Sequence, residues 1–302
     1  MTHNSNTPMI LGFSEYAAQT GRLAQAAGLP CSIIDIHHFP DGESKLTLPD
    51  KLPAQVIVVR SLDHPNDKLV ELILAAAGAR QLGASKVILV APYLCYMRQD
   101  KAFHPGEVVS QPVIGRCLAG QIDGILTVDS HLHRVHRLAD AVPVADAVNI
   151  TATDPMAHFL QKTVDHPFLI GPDGESEQWV AEIASHYGFD YCVARKERLG
   201  DRQVKISMPD GDYQGRNLVL VDDVASTGKT LLEAVKLLTP HRPASISVLV
   251  THALFVDDAE TELMDAGVDN IWSCDAIPHP SNSIELAELL AGTLARIIRS
   301  AS

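Results

Sequence analysis

Six short runs rich in β-branched residues constrain the fold most: 56–59, 86–90, 124–128, 168–170, 217–221 and 245–250. They mostly lack the alternation of apolar and polar residues that a half-exposed strand needs. Both faces of each must therefore be covered, as in a parallel sheet flanked by helices. Residues 66–82 supply one such helix: they follow a candidate Asn66 cap, are apolar around most of their circumference and stop at Gly83. Strand and helix alternate, so the class is α/β, with central, mostly parallel sheets.

A chain of 302 residues, 46% of them hydrophobic, can fill two cores, and two domains are expected. Segment 141–155 carries two prolines and mixed polarity, which places the boundary at 1–147 and 148–302. Both halves contain a strand running into a loop rich in Asp, Gly or charged residues. That suggests a duplicated unit, although direct sequence repetition is too faint to show it. Segment 195–215 is polar and basic at its start, and reads as a long loop or hairpin.

The formal charge of -13 argues against a phosphate-backbone grip on nucleic acid, and 5% aromatic residues leave few platforms for stacking bases. Any anionic ligand must be held locally. Five scattered cysteines without a C-x-x-C spacing fit a reduced, cytoplasmic protein. Neither a signal peptide nor a run long enough to span a membrane is expected.

The chemistry concentrates in NLVLVDDVASTGKT, residues 217–230. A buried strand leads into Asp222 and Asp223, then into small, hydroxyl and glycine residues before a helix. Backbone amides of Ser226, Thr227, Gly228, Lys229 and Thr230 can face a phosphate, while the carboxylates face hydroxyls. A sugar phosphate offers both ends. A Walker A loop is the obvious rival, but that motif needs glycine where Asp223 stands. An ordinary turn without ligand is the plain alternative.

This segment resembles the signature of type I phosphoribosyltransferases and of their relatives, the ribose-phosphate pyrophosphokinases. Other segments favour the second. FPDGESKLTL resembles a pyrophosphokinase element that contacts the adenine of ATP across a subunit boundary, implying roles for Phe39, Asp41 and Glu43, though a plain turn explains Pro-Asp-Gly equally well. APYLCYMRQDKAF is similar to the family's ATP-binding stretch and carries Arg98, Gln99, Asp100 and Lys101. TVDSHLHRVHRL resembles an element near the nucleotide phosphates and magnesium, which makes Asp129 and His131 candidate metal ligands and His131 also an ATP contact. His131, His133 and His136 alternatively suggest zinc, without a nearby thiolate or carboxylate to complete it.

FLIGPDGESEQW stands where the family has its pyrophosphate loop, implying that Asp173 holds magnesium and that Gly174, Glu175 and Ser176 surround the anion. Glu175 departs from the family's paired glycines: it turns outward, joins a metal ion, or alters activity. ARKERLGDRQVKI resembles the start of the family's catalytic flexible loop, with Lys196 and Arg198 as the catalytic cations and Asp201, Arg202 and Lys205 on the same loop.

The resemblance implies a tandem pair of phosphoribosyltransferase-like domains with the active site between them. It also implies Mg2+, ATP and ribose 5-phosphate as ligands, and a homo-oligomer of two or more subunits. The activity implied is transfer of pyrophosphate from ATP to ribose 5-phosphate. A catalytically weak regulatory homologue and a phosphoribosyltransferase acting on a nucleobase are the other readings.

Overall fold

Every strand that the sequence marks as apolar on both faces lies in one of two parallel six-stranded sheets. The computed structural model describes residues 7–132, 134–198, 204–209 and 211–299, with backbone alone at 196–198 and 204–206. These residues form two units, one running through Ile150 and resuming at Leu286, the other spanning Thr151–Glu285.

The first unit contains β1 (Met9–Gly12), β2 (Cys31–Ile33), β3 (Asp35–His38), β4 (Ser44–Thr47), β5 (Gln55–Val59), β6 (Lys86–Ala91), β7 (Gly124–Val128) and β8 (Asp146–Ile150). Helices α1 (Ala17–Ala27), α2 (Pro65–Gln81), α3 (Ser110–Ala119) and α4 (Leu138–Ala141) connect them. The sheet order is β2-β1-β5-β6-β7-β8, all parallel, and β3 and β4 pair separately as an antiparallel hairpin. Helix α2 lays Leu72, Ala75, Ala76 and Ala79 into the core at helical spacing. Its start differs from expectation. His64 in the left-handed region precedes Pro65, and Asn66 instead accepts a hydrogen bond from the Tyr96 hydroxyl at 2.5 Å.

The second unit contains α5 (Thr153–Thr163), β9 (Pro167–Gly171), α6 (Glu177–Tyr187), β10 (Asp190–Val193), β11 (Arg195–Arg198), β12 (Val204–Ser207) and β13 (Asn217–Ala225). It continues through α7 (Lys229–Leu238), β14 (Ser245–Ala253), α8 (Ala259–Asp265), β15 (Asn270–Cys274) and β16 (Asn282–Ile284). Its order, β10-β9-β13-β14-β15-β16, repeats that of the first unit, and the hairpin β11–β12 again falls between the second and third sheet strands. The duplication that the sequence barely hints at is therefore plain in topology.

Residues 286–302, expected with the second domain, depart from that division. Helix α9 (Ala287–Arg299) packs on α1 and β7 of the first unit. Its buried Leu290, Ala291, Leu294 and Ile297 form one helical stripe, which explains the return. No helix among the described residues is long and apolar enough to cross a membrane.

Candidate active site

In open parallel sheets ligands bind at the C-terminal strand ends where the strand order reverses. In the second unit that point lies between β9 and β13. Strand β13 continues through Ala225, so Asp222 and Asp223 sit on the strand itself rather than in the loop. Asp223 is buried, Asp222 half-buried, and the Asp223 amide donates to Asp222 Oδ1 at 2.9 Å. Burial pushes the Asp222 carboxyl well above the usual carboxylate range, and the charges of Asp223 and Asp173 push it further. Three carboxylates thus crowd one crevice, an arrangement that favours cations and hydroxyl donors.

The following turn is held from β14: Ala225 O accepts from Leu254 N at 3.0 Å and Phe255 N at 2.9 Å, and Ser226 O accepts from Val256 N at 3.1 Å. Ser226 and Thr230 are half-buried, while Thr227 and Lys229 are exposed. Gly228, at φ +64°, begins α7 without a side-chain cap. Among the described residues no side chain caps the first amides of that helix, and helix starts of this kind can bind phosphate.

Asp173 follows β9 beside this turn. Its Oδ1 accepts from Glu175 N at 3.0 Å, and its carbonyl accepts from Ser176 Oγ at 2.6 Å and Ser176 N at 3.3 Å. Two of the amides expected to meet pyrophosphate are therefore engaged by Asp173 itself. Glu175 is exposed, and Gly174 has open space at its Cβ position. Lys196 and Arg198 lie on β11 at alternate positions, with side chains outside the described part of the structure, as are residues Asp201 and Arg202 and the side chain of Lys205.

In the first unit Phe39, Asp41 and Glu43 are exposed on the connection between β3 and β4. Phe39 N donates to Glu43 O at 2.8 Å and Gly42 N to Phe39 O at 2.9 Å, so the segment is both a turn and a presented tip. Arg98 is exposed after β6, Gln99 half-buried, and Lys101 Nζ lies 4.7 Å from the Phe103 ring centroid. Asp100 is turned inward instead. Its Oδ1 accepts from Arg134 at 2.8 Å, and its buried Oδ2 has no hydrogen-bond partner among the described residues. Asp129 is buried at the end of β7 in the left-handed region at φ 40°, and His131 is half-buried two residues on. His133 lies outside the described residues, among which no group of three or more His, Cys, Asp or Glu is arranged to hold a metal ion.

Sequence reasoning missed Arg60, Glu71 and His38, which form a polar network at the corresponding crevice of the first unit, with Arg60 and Glu71 buried and His38 exposed. Glu71 reads as one more helix acid, and only the fold brings His38 to it.

The sheet order and the crevice of carboxylates and uncapped amides define a tandem phosphoribosyltransferase-type protein. Two family models match in succession: the N-terminal domain of ribose phosphate pyrophosphokinase over residues 9–120 and the phosphoribosyl transferase domain over 149–285. A ribose-phosphate pyrophosphokinase of Methanopyrus kandleri is 34% identical over 286 residues, covering 94% of this chain and 97% of that one. Its counterpart in Methanosarcina acetivorans is 30% identical, covering 95% and 99%. In fold, the crystal structure of phosphoribosylpyrophosphate synthetase from Mycobacterium smegmatis matches with a TM-score of 0.84 over 98% of this chain and 100% of that one, at 19% identity. The chain belongs to the ribose-phosphate pyrophosphokinase family.

Proposed function

We propose that the chain makes phosphoribosyl pyrophosphate, transferring the pyrophosphoryl group of ATP to the anomeric hydroxyl of ribose 5-phosphate. The observation that carries the reading is the convergence of Asp173, Asp222 and Asp223 beside the uncapped start of α7, in a chain of this family. The anomeric hydroxyl gives up its proton to solvent as its oxygen forms a bond to the β-phosphorus, the bond from that phosphorus to the α,β-bridging oxygen breaks, and AMP leaves with that oxygen and the electron pair. Little covalent chemistry falls to the protein, which positions reactants and stabilises charge.

In this reading the amides and hydroxyls from Ser226 to Thr230 take the 5-phosphate, and Asp222 and Asp223 take the ribose hydroxyls. Arg98, Gln99, Lys101, His131 and the tip with Phe39, Asp41 and Glu43 hold ATP, and Asp100 fixes their loop through Arg134. Gly174, Glu175 and Ser176 border the pyrophosphate, while Lys196 and Arg198 stabilise the transferring oxygens. The oxygen-rich donor set suits a hard cation. Asp129 and His131 in the first unit, and Asp173 in the second, are each candidate Mg2+ ligands, and Mg2+ needs no full protein cage because it keeps several water and phosphate ligands. When bound, it neutralises phosphate charge. The proposal extends to a cytoplasmic homo-oligomer, for which sedimentation at micromolar concentration supplies the readout.

The test is one incubation of the purified chain with ribose 5-phosphate, Mg2+ and ATP, following AMP and phosphoribosyl pyrophosphate together by chromatography. Matched appearance of both supports the proposal. No product despite sugar-phosphate binding points to a regulatory homologue, and release of pyrophosphate from added phosphoribosyl pyrophosphate, in a second incubation that needs a nucleobase but no ATP, points to a phosphoribosyltransferase.

A further inference from the structure

We propose that Glu71 and Arg60 are positioning residues for the nucleotide: through His38 and Ser44 they fix the β3–β4 hairpin that presents Phe39, Asp41 and Glu43. The inference rests on the assignment of that hairpin tip to ATP made above.

The duplicated topology shows what has changed. Gly12 pairs with Val59, and the next residue on β5's path is Arg60. Ile170 pairs with Leu220, so Gly171 and Val221 come next and Asp222 follows. Arg60 therefore stands where the second unit has Asp222, at the crevice between β1 and β5. The counterpart of the phosphate turn has altered as well. His64, at φ 47°, takes the place of Gly228 before the helix, and Pro65 removes an amide that Lys229 retains.

The protein's own charges occupy this crevice. Arg60 is 3% exposed and its guanidinium carbon lies 3.8 Å from the Phe13 ring centroid. Its Nε donates to Glu15 Oε1 at 2.7 Å, Nη1 to Lys68 O at 3.1 Å and Nη2 to Glu71 Oε2 at 2.5 Å. The other oxygen of Glu71 faces the hairpin. Oε1 meets His38 Nε2 at 2.7 Å and accepts from Ser44 Oγ at 3.0 Å.

His38 and Ser44 are direct cross-strand partners, the last pair before the connection that carries the ATP candidates. One carboxylate oxygen thus ties both strands at the base of the tip. Strand alternation puts Phe39 on the face opposite His38, where its ring meets His37 edge-on at 4.8 Å between centroids. A two-stranded ribbon has little stability alone. Its anchor is a buried carboxylate whose two oxygens are both satisfied, an arrangement rigid because losing any donor is costly.

The experiment compares wild type, the double variant His38→Ala/Ser44→Ala, and Glu71→Gln. Mg-ATP affinity is measured by calorimetry, KM for ATP and for ribose 5-phosphate by turnover, and folding by thermal melting. The double variant leaves Arg60, Glu15 and Glu71 paired, so it tests the hairpin anchor even if Glu71→Gln fails to fold. We expect ATP affinity to weaken and KM for ATP to rise by about tenfold, the scale of lost hydrogen bonds to a charged group. KM for ribose 5-phosphate stays at the wild-type value, the melting temperature falls while the double variant remains folded, and His38→Gln, which restores a donor, recovers ATP affinity relative to His38→Ala. Unchanged ATP affinity, or equal loss for both substrates, overturns the inference. A wild type that binds ATP without forming phosphoribosyl pyrophosphate overturns the proposed function, while the affinity comparison still decides the anchor. A wild type that binds no ATP overturns both.

Discussion

At Gly171, the last residue of β9, an added Cβ would lie 2.6 Å from Ser176 Oγ. Ser176 is fully buried and its hydroxyl donates to the Asp173 carbonyl, so the clash passes directly into the loop assigned to pyrophosphate. Gly171→Ala is expected to cost roughly 1–3 kcal/mol of stability through overpacking. Turnover should fall more than ribose 5-phosphate affinity, since α7 and its turn are untouched. Melting and steady-state kinetics measure both, and unchanged turnover would remove Asp173's loop from the chemistry. Residues of this kind were legible where residue type alone dictates the chemistry, as with the paired carboxylates and the glycine before α7. The partners were not legible: that Asp173 engages the amides of Glu175 and Ser176, or that Asp100 turns toward Arg134, depends on loop paths that sequence spacing does not specify.

At the scale of elements, α2 illustrates how one helix can serve both core and hairpin. Burial raises the Glu71 carboxyl, but hydrogen bonds from Arg60, His38 and Ser44 together with the Arg60 charge hold it below the ordinary value of 4.5. A depressed folded value means stabilisation that is complete above the unfolded value and lost as pH falls through the folded one. Glu71→Gln should therefore be less stable than wild type at pH 7, and the gap between their melting temperatures should narrow as pH drops below about 4.5. A gap independent of pH would show that the Glu71 charge contributes nothing to the hairpin's anchor. The central strands were readable because burial on both faces demands continuous apolar sequence. Edge strands were not: β2 and β10 are three and four residues long and largely exposed, so no apolar run marks them. The extension of β13 through its carboxylates was equally hidden, because an acidic pair at a strand end looks like the start of a loop.

The whole molecule is two copies of one topology, whose corresponding crevices hold opposite contents: carboxylates with uncapped amides in one, an arginine paired with glutamates in the other. Sequence repetition had decayed too far to show this, since a parallel sheet constrains strand order more tightly than residue identity. The same decay concealed where the chain end belongs. A linear division at 147 leaves residues 286–302 with the second unit, whereas α9 returns to α1 and β7. Leu290, Leu294 and Ile297 are each no more than 4% exposed, and burying such a side chain is worth about 1.5–3 kcal/mol. Deleting residues 286–302 should therefore destabilise the first unit selectively. Hydrogen exchange read by mass spectrometry checks this: amides of α1, β1 and β7 should lose protection while those of β9, β13 and β14 keep it. Protection lost first from β9, β13 and β14 would instead tie the terminal helix to the second unit.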